Sequence, residues 1–183
     1  MTNDPAPGLL SISPRLFHTL RRSLERNLGE RAAQFLQEAG YASGSALYDS
    51  FGRWLKQKTS VLDPAELDQS FLSDMLSEFL ADRGWGQVVF AQLGDATMAM
   101  SSNNWAESDP ECGTKYPACH VTTGLLADFF TRLADNTVAV MEVECRSRGD
   151  SECRFLMGSP ETLQVVYEFM TEGRDYTSAL TAG

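Results

Sequence analysis

The sequence predicts an α+β domain in which an antiparallel sheet of two hairpins packs with a helical N-terminal half. Three observations predict it. Apolar residues recur at helical spacing from Leu16 to Leu80. Two pairs of β-prone segments follow, each pair joined by a short turn. A single helical stretch separates the pairs, so strands arrive as hairpins rather than alternating one by one with helices. A length of 183 residues suits one domain with a sizeable core.

The elements can be justified in order. Residues 1–12, with Pro5, Pro7 and Gly8, read as a flexible lead-in. Ser13-Pro14 joins a cap residue to a proline at the first helical position. Leu16, Leu20, Leu24, Leu28, Ala32, Phe35, Leu36 and Ala39 then recur among Arg, Glu and Gln. This predicts one long amphipathic helix that stops at Gly40. A second helix over about 43–57 turns Leu47, Phe51, Trp54 and Leu55 inward. A third opens at the capping box Asp63-Pro64-Ala65-Glu66. It buries Leu67, Phe71, Met75, Leu76, Phe79 and Leu80, and ends at Gly84. Residues 87–93 and 96–101, joined by Gly94-Asp95, form the first hairpin. A loop over 102–117 leads to a fourth helix at about 118–134. Residues 137–147 and 152–157 make the second hairpin, and Ser159-Pro160 starts a last helix. The single domain spans 13–172, with 173–183 as a C-terminal tail.

Composition excludes several classes. The formal charge of -10 repels phosphate backbones and anionic membranes, so no nucleic acid is expected as a partner. No stretch approaches the ~20 apolar residues of a membrane span. Met1-Thr2-Asn3-Asp4-Pro5 has no signal-peptide pattern. A cytoplasmic location is expected, where structural disulfides are rare.

The chemistry concentrates in "VECRSRGDSECRF", residues 143–155. With Gly149 at the centre of the turn, Cys145 and Cys153 stand opposite each other. Their thiols then share one face of the sheet, about 4.5–5.5 Å apart. Such a pair can form a disulfide, share a metal, or pack as small hydrophobic groups. Arg148-Gly149-Asp150 reads as the turn itself. A zinc ion needs about four ligands. Cys119 with its neighbour His120, Cys112 seven residues earlier, and Glu142 and Glu144 are the available sources.

"YPACH" (116–120), "EVECRSRGDSECRF" (142–155) and "GSPETL" (158–163) resemble the 4-vinyl reductase domain family. That family pattern also occurs in the sensor domains of phenol-responsive transcription activators, and small subunits of TRAPP tethering complexes are distant relatives. "LQEAGYASGSALYDSF" (36–51) is similar to the family's helix-to-helix junction, and the resemblance covers roughly 32–172. It implies one structural zinc held by Cys119, Glu142, Cys145 and Cys153. Strand alternation raises an objection, because residues three apart face opposite ways. A bulge between Glu142 and Cys145 removes it. Without one, Cys112 completes a four-cysteine site. His120 projects about 100° away from Cys119 on a helix, which suits a surface or hydrogen-bonding role. His18 lies off the leucine stripe and is expected at the surface.

The resemblance also implies an aromatic ligand pocket. Trp105, in "NNWAES", matches its tryptophan, while no histidine matches the phenol-anchoring one. Trp105, Phe90, Met98, Tyr48 and Phe71 are the candidate ligand-binding residues. The expected function is binding or sensing of a small hydrophobic molecule, with output through a protein partner. The leucine stripe of the first helix suits a homodimer. One alternative is a dimeric scaffold without ligand. A tetrapyrrole vinyl-group reductase ranks last, since no nicotinamide or flavin site and no acid–base pair is legible. An enzyme is therefore not expected.

Overall fold

A computed structural model describes residues 12–61, 63–94 and 96–180. The lead-in to residue 11, Leu62, Asp95 of the first turn and residues 181–183 lie outside the described residues.

Helix α1 (Pro14–Leu28) begins where the sequence places it, with Ser13 Oγ accepting the Arg15 N–H. It ends at Gly29, whose φ of 58° breaks the expected long helix in two. Helix α2 (Arg31–Thr59) then runs for 29 residues, straight through Gly40. The expected stop at Gly40, and the helix-to-helix junction around it, are both corrected. Glycine serves another purpose here. A Cβ on Gly40 would lie 2.1 Å from the Val121 carbonyl oxygen, and one on Gly124 would lie 2.0 Å from that of Gln37. The backbones of α2 and α4 (His120–Ala134) cross at contact, which only bare Cα atoms permit.

The box Asp63-Pro64-Ala65-Glu66 starts only a single 3-10 turn, Pro64–Glu66. Leu67 is extended, and α3 (Gln69–Asp82) begins afresh, with the Asp68 carboxylate accepting the Phe71 N–H at 2.9 Å. Two acidic caps in tandem made the short turn look like the start of the helix.

The sheet contains β1 (Val89–Leu93), β2 (Thr97–Ser102), β3 (Ala139–Glu144) and β4 (Cys153–Gly158). Its order is β1-β2-β4-β3, antiparallel throughout, so two hairpins join edge to edge through β2 and β4. The inner face carries Phe90, Met100, Phe155 and Met157 towards the helical half. There Phe51 meets Phe79 at 5.3 Å and Phe129 at 5.9 Å between ring centres. The outer face carries Ala99, Val143 and Leu156 against Leu163 and Val166 of α5 (Pro160–Thr171).

The expected tail differs too. Residues Tyr176–Leu180 form α6 and pack on the same outer cluster. The Tyr176 hydroxyl donates to Glu144 Oε1 at 2.5 Å and accepts from Arg154 at 2.7 Å, which anchors this segment to the sheet.

The helix crossing generates a prediction. Gly124→Ala forces backbone apart and is expected to cost at least about 2 kcal/mol. Gly52→Ala, in the partner helix α2 and with only Pro64 Cγ within 4 Å, is expected to gain about 0.5–1 kcal/mol. Urea unfolding of both variants checks the contrast.

Candidate functional site

Strand β4 organises the site. Its alternate residues Cys153, Phe155 and Met157 all face inward, and their partners Ser102, Met100 and Met98 on β2 do the same. Cys145 comes one step beyond the last β3–β4 ladder pair, Glu144 with Arg154. The ladder slips between Glu142, paired with Phe155, and Glu144. Val143 is thus an extra residue, a β-bulge. Val143 and Glu144 both lie on the outer side, against α5 and Tyr176. Glu142 and Cys145 consequently share the inner side.

Cys119 arrives from the opposite direction, as the residue immediately before α4. Its Sγ lies 4.0 Å from that of Cys145 and 4.0 Å from that of Cys153. Donor atoms of Cys119, Glu142, Cys145 and Cys153 all fall within 4.8 Å of one another, and all four residues are buried. Cys112 is outside this group. Its Sγ accepts a hydrogen bond from Arg21 at 3.1 Å instead.

The loop between the strands is built to hold this geometry. Gly149 sits at φ 108°, which favours glycine. The Cys145 N–H donates to Asp150 Oδ2 at 2.7 Å, and the Asp150 N–H returns to the Cys145 carbonyl at 3.2 Å. Arg148 pairs with Asp150 and donates to the Val143 carbonyl at 2.9 Å. The Arg-Gly-Asp tripeptide is therefore an internally bonded turn. The Arg146 N–H points at Cys153 Sγ, 3.5 Å away.

Electrostatics say what the cluster needs. Burial, aided by the Cys145 charge, pushes the Glu142 carboxyl up to about 9. Burial also raises the Cys119 thiol well above its ordinary value. Cys145 is lowered by hydrogen bonds from Cys119 and Cys153. Glu142 Oε2 accepts the Cys119 N–H at 2.8 Å, while its buried Oε1 has no hydrogen-bond partner among the described residues. An orphaned carboxylate oxygen beside three thiols suits a cation. Tetrahedral metal–sulfur bonds of about 2.3 Å place sulfurs about 3.8 Å apart, close to the spacing present. The cluster can hold a metal ion.

Two buried charged residues support it that the sequence reading missed. Glu107 accepts the Val121 N–H at 2.9 Å, the Thr122 N–H at 2.7 Å and the Thr122 hydroxyl at 2.5 Å. It thereby caps α4, and burial pushes its carboxyl up to about 7. Arg21 is 2% exposed and donates to the Ala118 carbonyl and Ser147 Oγ, both at 3.4 Å. It ties α1 to both approaches of the cysteine–glutamate cluster. No local pattern marks either residue, because these hydrogen-bond partners are 14 to 126 positions away. His18, expected at the surface, packs instead on the 106–109 loop, with Nε2 3.3 Å from the Ala106 carbonyl.

The other end of the inner face opens into a cleft of about 580 Å³. Phe90, Met98 and Met157 of the sheet, Leu72 and Leu76 of α3, and Phe130 of α4 form its walls. Phe90 and Met98 are thus the two sequence candidates that line it. Trp105 lies outside, 2% exposed, with its ring 5.4 Å from Trp85 and its N–H on Thr122 Oγ1 at 2.8 Å. Tyr48 packs on Phe129, one layer behind the wall, at 5.8 Å between rings. Phe71 is 37% exposed on the surface of α3.

Residues 104–159 match the family model of the 4-vinyl reductase domain. That segment contains every residue of the buried cysteine–glutamate cluster. Two solved structures share the fold. One is the phenol-responsive sensory domain of the transcription activator PoxR with phenol, at 17% identity over 84% of this chain and 77% of that one, TM-score 0.65. The other is a trafficking protein particle complex subunit 3 from Naegleria fowleri covalently bound to palmitic acid. It is 12% identical over 79% of this chain and 91% of that one, TM-score 0.60. At these identities the likeness is one of fold. No curated protein sequence matches the chain.

Burial separates the thiols. A thiol reagent is expected to modify Cys112 quickly in the native protein and to leave Cys119, Cys145 and Cys153 untouched until denaturant is added. Mass spectrometry of the labelled peptides checks the order.

Proposed function

Taking a domain of the 4-vinyl reductase type as the premise, we propose that this chain binds or senses a small hydrophobic molecule, is stabilised by a structural zinc, and acts through a protein partner. The observation that carries this reading is the apolar cleft between sheet and helices. Both fold relatives support it, since one was solved with phenol and the other with palmitic acid. Phe90 and Met98 contact the ligand directly in this reading. Tyr48 sets the wall through Phe129 and Phe130, while Trp105 and Phe71 shape the surrounding packing.

Cys119, Glu142, Cys145 and Cys153 hold the zinc. Four protein donors leave no position for water, so the ion supplies a cross-link and no reaction. Cys119 then clamps the start of α4 to the β3–β4 hairpin, and metal binding becomes folding free energy. The free thiols suit a reducing compartment, in keeping with a cytoplasmic location. Among the described residues no helix is long and apolar enough to cross a membrane.

A scaffold reading is favoured by a separate observation. Leu16, Leu20 and Leu28 of α1 and Phe35 and Tyr41 of α2 are exposed. A homodimer formed on this face serves either reading, and a cleft that stays empty in the purified dimer would favour the scaffold.

The following outcomes are expected. Elemental analysis of metal-replete protein gives one zinc per chain, and native mass spectrometry finds a co-purified hydrophobic molecule. Protein free of metal would overturn the zinc assignment. Cys145→Ser lowers unfolding free energy by more than about 3 kcal/mol, with loss of the ion. Glu142→Ala is expected to weaken metal binding more than about 100-fold. Competition against a chelator checks both variants. The double variant Leu16→Glu/Leu20→Glu is expected to sediment as a monomer.

A further inference from the structure

We infer that the cleft selects an uncharged, lipid-sized molecule bearing a neutral hydrogen-bonding group, such as an alcohol, ester or amide, and rejects free carboxylates. The inference rests on the ligand-binding reading above and adds the chemical class of the ligand.

The walls carry the argument. None of the described residues lining the cleft is ionisable. Polar contacts come from Gln92, Thr97, Asn136, Thr137, Ser73 and Ser159, all neutral amides or hydroxyls. An anion entering here leaves water without meeting a cation, which is among the most costly transfers a protein can impose. A neutral alcohol or ester loses far less water and needs only one partner.

The surrounding field acts in the same sense. Leu133 and Ala134 bring the C-terminal end of α4, the negative end of its dipole, to the cleft. The cation in that last turn, Arg132, is held by Asp128 at 2.7 Å. The N-terminus of α5 also touches the rim at Gly158 and Ser159, and a positive helix end by itself favours an anion. Three of its first four positions offer no free donor. Pro160 has no N–H, the Thr162 N–H is held by Ser159 Oγ at 3.1 Å, and the Leu163 N–H is held by the Ser159 carbonyl at 3.1 Å. Glu161 adds a negative charge to that turn. The chain as a whole carries a formal charge of -10.

Size narrows the class further. A volume of about 580 Å³ suits a drug- or lipid-sized molecule and leaves a single aromatic ring loosely held. Met98 and Met157 face each other across β2 and β4 and give the wall side chains that adapt to a flexible chain. Free tetrapyrroles, which carry ionised propionates, are disfavoured by the same walls.

Titration calorimetry with the full chain at pH 8 tests this with two probes of equal chain length, 1-dodecanol and dodecanoate. Dodecanol is expected to bind at least about 30-fold more tightly. Met98→Trp, which narrows the cleft, should weaken dodecanol binding. Gln92→Arg, which puts a cation on the inner face of β1 beside Met98, should recover dodecanoate binding. Equal affinity for both probes overturns the selectivity and leaves the ligand-binding reading standing. Dodecanol affinity left unchanged by Met98→Trp places the site elsewhere and overturns the inference. Failure of both probes to bind overturns the inference and the ligand-binding reading together.

Discussion

Side chains alternate along β4, and both the buried thiol cluster and the apolar cleft depend on that alternation. Cys153, Phe155 and Met157 occupy one face at two-residue steps. The first belongs to the cysteine–glutamate cluster, the second to the aromatic core, and the third to the cleft. Four residues of strand set the two sites about 13 Å apart. A slip of one residue would send all three side chains to the outer face and bring Arg154 and Leu156 inward. Register is therefore the quantity the sequence must protect. The Gly149 turn fixes it at one end, with Cys145 and Asp150 bonded across the loop. The bulge at Val143 then adjusts β3 alone, so that Glu142 and Cys145 reach the same side without moving β4.

Helix α4 is a second rod joining the same two places. Its first residue follows Cys119, and its last turn lines the cleft. Direct backbone contact with α2 at Gly40, Gly44 and Gly124 holds it in line. Its N-terminal amides are met by carboxylates from distant segments, Glu142 for Cys119 and Glu107 for Val121 and Thr122. These contacts place acceptors where the helix end presents unpaired donors. The same arrangement gives the thiols a positive helix end to face.

Much of this was legible in the sequence where the signal is local. Ser13-Pro14 and Ser159-Pro160 start helices because a cap and a proline need only each other. Both hairpins and the shared face of Cys145 and Cys153 follow from alternation about a glycine turn. The helix-breaking reading of Gly40 failed because glycine has two uses, and only the partner helix reveals which applies. The bulge could be posed as a condition on Glu142 but not read, since it exists only relative to β4. Arg21 was hidden inside a leucine stripe of which Leu16, Leu20 and Leu28 are exposed while the arginine is buried. Residues 176–180 look like a tail until Tyr176 finds Glu144 and Arg154.

The two ends of the inner face treat charge in opposite ways, and this follows from one cost. At the metal end, three thiols and a carboxyl are buried together. Ionising them all without a cation is prohibitive, so burial holds Glu142 and Cys119 towards their protonated forms. A divalent ion removes that penalty, and its binding must release protons as the donors ionise. At the cleft end no ionisable wall residue is described, so nothing there offsets a charge brought in from water. Burial without a partner excludes ionic ligands as firmly as burial with four acidic donors favours a cation. The strand that carries Cys153, Phe155 and Met157 on one face thus joins a buried acidic cluster, whose ionised form needs a cation, to an apolar cleft with no ionisable wall residue described.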